Sequence, residues 1–575
     1  MNKIEAFEID NAKNLTFEAI AGTFVPIDQY WRLISGKNHI ILGSRGSGKT
    51  TLMKMLSYPS MISSKDQNIK SKALSNEYIG LYLPTNTEWV GSLKNKNWQT
   101  NREKENNFLW KINLASCVSL IEVLKSFVAH SFVDKNQQLL TEIDLCRILS
   151  NQWFEYEYVR FKELKNILLN VANKKEEWFI KKKYGIKNIE PIGTTFELPI
   201  FNVVKESIRL ISEKLNLENT KWYICLDEAE NLDDSFQAIL NTYLRSSHDN
   251  FFLKIATTPY HHLTHRTNID ENVYCLHDFE YVYIDVEHKH PLMGKYEKIA
   301  DEIFSTRCAY YGLNTDLTLE EILGKSPLLD NQPWTSEDSI RLNTYCTNET
   351  INRANTLFKE KKDQEFLDQI GRKIRGALQL KQEFQNHKGH RQSQIYSGRK
   401  LFIRCSDFNP RRLIRLYNLI ISEIKYGEDE TKKIEPGKQH ELLVEFSNRE
   451  LMNIKSSEGL GFDLYTFLDT IGNGLHYLFH EKKISTDFYY SIKFTEENQS
   501  KNKWQLIKRA VSIGLLFPDI QTPDVLPIFA GTFHFSFVLA PKYFLLPRRG
   551  STINYSKILS YLDSSPEQFI LPLED

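Results

Sequence analysis

The stretch of sequence that decides the fold is NHIILGSRGSGKTT, residues 38–51. Its first part is a short apolar run typical of a buried strand, and its second part has the spacing G-x-x-x-x-G-K-T. Leu52, Met55 and Leu56 then recur at helical spacing. In such a strand, loop and helix, glycines let backbone N–H groups turn inward around phosphate oxygens, and the helix N-terminus adds positive partial charge. The stretch therefore predicts a loop that binds a polyphosphate.

Residue types within the loop predict how the ligand is held. Lys49 is expected to reach the β- and γ-phosphates, and the Thr50 hydroxyl to ligate Mg²⁺. ATP and Mg²⁺ are thus the predicted cofactors. The residues expected to surround the nucleotide are Gly43, Ser44, Arg45, Gly46, Ser47, Gly48, Lys49, Thr50 and Thr51.

A second motif, KWYICLDE at residues 221–228, is an apolar run that ends in two acids. Asp227 suits the Mg²⁺ shell, and Glu228 is placed to polarise an attacking water. The alternative is that the two acids only cap the helix that begins near Asp233. We favour the catalytic interpretation because the phosphate loop lies upstream.

A further strand, residues 251–256, ends in Thr257 and Thr258. A polar side chain at this strand tip can hold the attacking water, and Thr257 is preferred over Thr258 because a shift of one residue exchanges the faces of a strand. Two more apolar runs, residues 78–83 and 281–286, read as strands. Strands that alternate with helices predict an α/β fold with a parallel sheet covered on both faces.

Roughly 180 residues separate Lys49 from Asp227, far more than one crossover between parallel strands needs. The sequence therefore predicts a large helical insertion at residues 95–215. Its aromatic residues at helical spacing indicate a core, with a nucleic-acid stacking platform as the alternative. A second helical excursion, residues 293–400, includes a basic stretch at 381–391 that is typical of a solvated face or loop.

The run Asn409-Pro410-Arg411-Arg412-Leu413 opens another predicted helix. Asn409 is a natural N-cap and Pro410 a natural first helical residue. Arg411 and Arg412 then lie in the first turn, where positive charge is unfavourable with the helix dipole. A bound phosphate would explain this placement.

Two helices and a hairpin are predicted near the C-terminus, an order expected of a winged helix. The second helix, residues 504–515, has Gly514 as its C-terminal turn, and the hairpin combines residues 532–538 with residues 543–550. Acidic residues slightly outnumber basic ones after residue 451, so no basic field covers this region. A small patch for DNA remains open, with the candidate residues Lys501, Lys503, Lys508, Arg509, Arg548 and Arg549.

The composition is that of a folded globular protein rather than a disordered one. The 575 residues carry 73 Lys+Arg and 73 Asp+Glu, with 41% hydrophobic residues, which excludes a chain that coats nucleic acid through net charge. Seven cysteines without C-x-x-C spacing argue against a disulfide framework or a zinc site. We expect a cytoplasmic protein without a membrane span, because neither an export signal nor a sufficiently long apolar stretch is evident.

Taken together, these motifs resemble the large bacterial P-loop AAA ATPases of the origin-recognition (ORC-like) type and the related signal-transducing STAND ATPases. The residues that carry the resemblance are 43–51, 226–230, the strand ending at Thr257 and the run 409–413. The resemblance implies that Arg411 senses the γ-phosphate in cis, with Arg245 as a candidate arginine finger for a neighbouring subunit.

The resemblance implies a domain order. An ATPase core is expected at residues 1–94 and 216–292, interrupted by the insertion, followed by a helical lid at 293–425 and a winged-helix-like domain at 455–575. The expected function is an ATP-hydrolysing molecular switch that acts on a protein effector or self-associates through its ATPase face, with a role in bacterial anti-phage defence. The alternative is a DNA-binding ATPase of the replication-initiator or transposition-loader type.

Overall fold

The computed structural model describes residues 7–85, 90–93, 98, 100–154, 156–185, 192–246, 249–269, 271–285, 290–313, 317–387, 393–426, 433–457, 459–485, 487–495, 501–519 and 531–563. These residues form two compact units. The first unit comprises Ala12–Gly43 and Gly48–Ile284, and the second comprises Met1–Asn11, Ser44–Ser47 and Asp285–Asp575. The predicted domain boundaries stay predictions, and the segments 520–530 and 564–575 of the last domain lie outside the described residues.

A five-stranded sheet organises the first unit. The strands are β1 (His39–Leu42), β2 (Tyr78–Pro84), β3 (Lys221–Asp227), β4 (Phe251–Thr257) and β5 (Glu280–Tyr283). They lie in the order β2-β3-β4-β1-β5, and every neighbouring pair is parallel. The parallel α/β sheet predicted from the sequence is therefore confirmed. Its fifth strand ends at Tyr283, and residue 286 of the predicted strand lies outside the described residues.

Continuous apolar runs explain why these segments became strands of a covered sheet. All four residues of β1 are buried, as are the last six of β3 and the last five of β4. Strands buried on both faces lose the alternation of polar and apolar residues seen in half-exposed sheets. The carboxyl ends of β1, β3 and β4 thus bring Gly43, Asp227 and Thr257 to one edge of the sheet.

Ten α-helices are described in the first unit. They are α1 (Phe17–Thr23), α2 (Asp28–Leu33), α3 (Lys49–Met55), α4 (Tyr58–Ile62), α5 (Gln67–Leu74), α6 (Asn101–Ser131), α7 (Lys135–Trp153), α8 (Phe161–Lys183), α9 (Asn202–Leu215) and α10 (Asp234–Arg245). Helices α6 to α9 occupy the chain between β2 and β3. Most of their large aromatic side chains, such as Trp110, Phe127 and Trp153, are buried, as a helical core requires.

Helix α6 departs from one sequence expectation. Among the described residues it is the one helix long and apolar enough to cross a membrane, although the sequence suggested that no stretch approached that length. Most of its apolar window is buried inside the protein, as in a core helix. The apolar surface of α6 is thus satisfied by packing within the fold, and the cytoplasmic location stays a prediction.

The second unit is mostly helical. Its α-helices are α11 (His290–Tyr311), α12 (Leu319–Leu323), α13 (Ser336–Tyr345), α14 (Asn348–Lys359), α15 (Asp363–Phe366), α16 (Arg372–His387), α17 (Arg399–Cys405), α18 (Pro410–Tyr426), α19 (Pro436–Lys455), α20 (Gly461–His480), α21 (Lys501–Ser512) and α22 (Tyr555–Asp563). Residues 385–387 of the predicted basic stretch are exposed, as a solvated face requires, whereas Lys381 on α16 departs from that expectation. It is buried and donates to the carbonyls of Phe479, His480 and Lys482, while residues 388–391 lie outside the described chain.

A four-stranded mixed sheet completes the second unit. Its strands are β6 (Tyr489–Phe494), β7 (Leu516–Pro518), β8 (Gly531–Phe535) and β9 (Ser551–Asn554), in the order β7-β8-β6-β9. The β7/β8 and β6/β8 pairs are antiparallel, and β6/β9 is parallel. Gly514, which has a φ of 72°, ends the turn after α21 as predicted. The winged-helix assignment stays a prediction.

The hairpin was predicted with the wrong partner. Residues 533–535 pair with Leu516–Pro518, whereas the segment 543–550 forms turns and no strand. Pro541 and Pro547 lack the N–H groups that a ladder needs, and Phe544 has a φ of 53°. Arg548 and Arg549, expected on a wing, are instead engaged within the fold. Arg548 donates to the Lys373 carbonyl, and Arg549 pairs with Asp519 at 3.1 Å.

The seven cysteines lie mostly in the core. All seven are free, six are buried and Cys275 is partly exposed. Within the described part of the chain, no group of three or more His, Cys, Asp or Glu side chains is arranged to hold a metal ion.

Candidate nucleotide site

The phosphate loop joins β1 to α3. Gly48, with a φ of 98°, leads directly into the first residue of α3, Lys49, so only a residue without a side chain adopts this turn without strain. The Lys49 ammonium donates to the Gly43 carbonyl at 2.6 Å. Lys49 thus already points back over the start of the loop, where phosphates are expected.

The metal-binding pair predicted from the sequence is in contact. Thr50 Oγ1 donates to Asp227 Oδ2 at 2.7 Å. Tyr82 of β2, which the sequence did not single out, donates to the same oxygen at 3.0 Å. Burial raises the pKa of Asp227 above its usual range, because the charged carboxylate loses its hydration. A hydroxyl and a carboxylate in contact offer the oxygen ligands that Mg²⁺ prefers.

Glu228 follows Asp227 with a left-handed backbone, φ 63°. Oε1 pairs with Lys13, whereas Oε2 is buried and has no hydrogen-bond partner among the residues that the structure describes. Glu230 Oε2 is also buried without a hydrogen-bond partner among these residues, and burial raises the pKa of Glu230. Neither acid is the N-cap of α10, since Asp233 holds that position, and the catalytic interpretation of the pair stays a prediction.

Lys13 is held in place by a buried lysine that sequence reasoning missed. The Lys54 ammonium donates to the carbonyls of Ala12, Lys13 and Leu15 at 2.9, 3.2 and 2.9 Å. These bonds fix residues 12–15 beside α3. No local pattern in the sequence connects residues 12–15 to residue 54, so only the folded chain reveals this support.

Thr257 ends β4, opposite Leu42 of β1 in the parallel register. Its hydroxyl is buried and has no partner among the described residues, while its carbonyl accepts from the Gly43 N–H at 3.3 Å. Thr258, the second choice, is engaged, since its hydroxyl lies 2.9 Å from His261 Nδ1. The geometry therefore favours Thr257 over Thr258.

The histidines after β4 form a packing cluster. His262 is buried between Asn241 and Tyr281, and burial lowers its pKa to about 3. His265 also contacts the Tyr281 hydroxyl at 3.1 Å. Arg245, the candidate finger, pairs with Glu271 and donates to the Asn272 carbonyl, so this arginine is held against its own chain.

In the second unit, the tip of the phosphate loop, Ser44–Ser47, packs against the start of α18. Asn409 caps α18 as predicted, because its Oδ1 accepts from the Arg411 and Arg412 N–H groups. Its Nδ2 donates to the Arg45 carbonyl at 3.0 Å, and the Arg411 N–H donates to the Gly46 carbonyl at 3.3 Å. A Cβ at Gly46 would lie only 2.6 Å from Asn409 Oδ1, so this close approach requires glycine.

The two arginines of α18 have different surroundings. Arg412 is buried and bonds Asp407 at 2.8 Å, Glu450 at 3.1 Å and the Gly514 carbonyl at 2.9 Å. Arg411 Nε is buried with no partner in the described chain, and burial lowers the pKa of Arg411. Arg412 is therefore structural, and Arg411 is the side chain with donor capacity to spare.

Asp285 is a further contact of the loop tip that the sequence did not reveal. Its carboxylate accepts from the Ser44 N–H at 2.7 Å and from the Ser44 hydroxyl at 2.8 Å. The residue directly follows the first unit in the chain. A single carboxylate thus orients the second residue of the phosphate motif.

Comparison with known proteins identifies the family. Neither the curated proteins nor the solved structures contain a match to this chain. The ORC-CDC6-like family matches residues 5–554, which is nearly the whole chain. The relation to STAND ATPases stays a prediction. The chain belongs to the ORC-CDC6-like family, and that membership identifies it as an AAA-type ATPase.

Proposed function

We propose that the protein is an ATP-hydrolysing molecular switch that regulates a protein effector or a nucleoprotein complex. The observation that carries the proposal is the contact of Thr50 with Asp227 beside the open, buried oxygen of Glu228. A metal-ligand pair next to a free carboxylate oxygen is what water-assisted phosphoryl transfer needs.

Residues of this chain have distinct roles in the proposal. Lys49 and the loop N–H groups bind the phosphates, and Thr50 and Asp227 hold Mg²⁺, which supplies charge neutralisation on the β- and γ-phosphates when bound. Thr257 orients the attacking water with its free hydroxyl. Arg411 senses the γ-phosphate, and its position beside Gly46 supports this role.

Glu228 acts as the general base. One of its oxygens is tied to Lys13, which fixes the side chain, and the other is left to accept the proton of the attacking water. A base held by one oxygen does not need to reorganise when the substrate arrives. Lys13 is thus a positioning residue in this scheme.

The experiment separates nucleotide binding from hydrolysis. Glu228→Gln retains the size of the side chain but cannot accept a proton, so turnover should fall about 100-fold or more while ATP binding persists. Lys49→Ala should weaken ATP binding by roughly 2–3 kcal/mol or more, because a charge-assisted contact to the phosphates is lost. Glu218→Gln, at an exposed site of the same unit, is the matched control. Wild-type turnover in Glu228→Gln would place the base elsewhere, with Glu230 the next candidate.

A DNA-binding loader remains the alternative function, and the family match motivates it. Arg548 and Arg549 do not support it, because both are engaged by groups of the second unit. ATPase turnover with and without DNA distinguishes the two functions. Binding that depends on about five or more released counterions in a salt titration would favour the loader, and absence of binding at about 50 mM salt would exclude it.

The biological setting is part of the proposal. We infer that the trigger acts through a protein effector or through self-association by the ATPase face, in a setting such as bacterial anti-phage defence. In this proposal the second unit responds to the bound nucleotide, because its helix α18 contacts the tip of the phosphate loop. Limited proteolysis of residues 293–425 with ADP and with a non-hydrolysable ATP analogue tests whether nucleotide state reaches this region.

A further inference from the structure

A cavity of about 380 Å³ lies within the helical insertion of the first unit. It opens to solvent and is lined by the first turns of α6, the C-terminal half of α8 and the short 3-10 helix Thr194–Glu197. None of its lining residues belongs to the phosphate loop or to the acidic end of β3. Its size falls in the range of about 300–1,000 Å³ that is usual for small-molecule sites.

Unpartnered polar groups line this cavity. Asn107 is only 4% exposed, yet neither its Oδ1 nor its Nδ2 has a hydrogen-bond partner among the described residues. The indole Nε1 of Trp178 is likewise buried and without a partner there. A buried polar group left unsatisfied costs about 1–3 kcal/mol. The amide and indole N–H groups can donate hydrogen bonds to a ligand, and the amide oxygen can accept one. A purely apolar ligand would leave them unsatisfied.

Charge in the cavity favours an anion. Lys175 is 6% exposed and pairs with Glu197 at 2.8 Å, and Lys182 pairs with Glu103 at 2.5 Å. Arg102 is exposed at the edge and adds a third cation against two carboxylates. The N-terminus of α6, capped by Thr100, also contributes positive partial charge here.

An aromatic surface completes the site. The ammonium groups of Lys175 and Lys182 lie 5.2 and 5.1 Å from the centre of the Trp178 ring. Phe179 packs edge-on against that ring at 5.0 Å. An aromatic ring beside a primary amide and cations is the combination that proteins use to bind an unstacked base with its phosphate.

We propose that this cavity binds a nucleotide. The Asn107 amide pairs with a donor and an acceptor on the edge of the base, and Trp178 Nε1 donates to a further acceptor. The one positive charge by which Arg102 and the two lysines exceed the two carboxylates neutralises part of the phosphate charge. The nucleotide is either free or part of a single strand, because both present the same base and phosphate.

The test uses the full-length protein carrying Lys49→Ala, which weakens binding at the phosphate loop so that a second site can be observed. Calorimetry with AMP, GMP, CMP and UMP, and in a second arm with a single-stranded oligonucleotide, should detect one site per chain. Adding Asn107→Leu should weaken that binding tenfold or more, because both amide contacts are lost. The variant's melting temperature should be unchanged or higher, since an unsatisfied amide leaves the interior.

A second pair of variants tests the anion contact. Lys182→Ala should weaken nucleotide binding, whereas Lys181→Ala, at an exposed neighbour that does not line the cavity, should not. If the oligonucleotide binds and the free nucleotides do not, and Asn107→Leu abolishes that binding, the ligand is a nucleotide within a single strand. Absence of binding by every probe at millimolar concentration, or equal affinity in Asn107→Leu, would overturn the proposal and leave a hydrated cavity.

Discussion

Replacing Arg412 with methionine should destabilise the second unit far more than the same change at Arg411. Arg412 has a side chain that is only 5% exposed, and it bonds two carboxylates and two carbonyls, those of Gly514 at 2.9 Å and Ile513 at 3.2 Å. Removing one partner of a buried ion pair costs about 3–5 kcal/mol because the remaining charge is left buried. Arg411 has no such network to lose among the described residues, where its buried Nε has no hydrogen-bond partner.

The size of the stability loss depends on the hydrogen bonds that the Asp407 carboxylate keeps when Arg412 is replaced. Asp407 still accepts from the Ser536 hydroxyl and from the N–H groups of Phe537 and Val538, so the lower part of that range, about 3 kcal/mol, is expected. At roughly 2–4 °C per kcal/mol, the melting temperature should fall by about 6–12 °C. Calorimetric melting of the two variants beside the wild type measures this difference.

The loss should depend on pH in a defined direction. Burial already raises the pKa of Asp407, and removal of Arg412 would raise it further. A carboxyl whose folded pKa exceeds its unfolded pKa is stabilising when protonated, so this stability is lost as pH rises through the folded pKa. The cost of Arg412→Met should therefore be smaller at pH 5 than at pH 8. A melting temperature within 2 °C of wild type at pH 8 would refute the structural role of Arg412.

Two further predictions concern the first unit. Thr257→Val removes a hydroxyl that has no partner in the described part of the chain, so turnover should fall roughly tenfold while ATP affinity and melting temperature stay near wild type. Wild-type turnover would exclude Thr257 from the site. Burial lowers the pKa of Lys254 to about 7 in the folded protein. Between pH 7 and the ordinary pKa of lysine, Lys254 is therefore protonated in the unfolded chain but not in the folded one, and the free energy of unfolding rises with pH. Between pH 7.5 and 9.5, the free energy of unfolding in urea should increase by about 2 kcal/mol less in Lys254→Met than in the wild type. An identical pH dependence would contradict it.

The strands and the acidic motif were predictable because their signals are local. Parallel strands buried on both faces appear as uninterrupted apolar runs, and functional residues follow directly at their ends. The order of the strands was not predictable, because apolar runs do not encode which neighbour a strand takes. Thus β4 lies between β1 and β3, and only this order places Thr257 beside Gly43.

Other features depend on contacts between distant residues. Arg411 and Arg412 are adjacent and chemically identical in the sequence, and Glu450 and the Gly514 carbonyl decide which of them is buried. The support of Asp227 by Tyr82 likewise needs the β2/β3 register. The hairpin partner in the C-terminal sheet was predicted wrongly because Pro541 and Pro547 exclude residues 543–550 from the sheet.

The position of the helical insertion has a consequence for how the chain folds. Tyr78 and Lys221 begin neighbouring strands and pair with each other although roughly 140 residues separate them, so pairing must close a very long loop. Contacts this distant in sequence slow folding. If α6 to α9 collapse first, they shorten the effective loop and bring the two strand ends together. We expect the Asp227 carboxylate to meet Thr50 and Tyr82 only after that step, which makes the chemical centre one of the last parts of the unit to assemble.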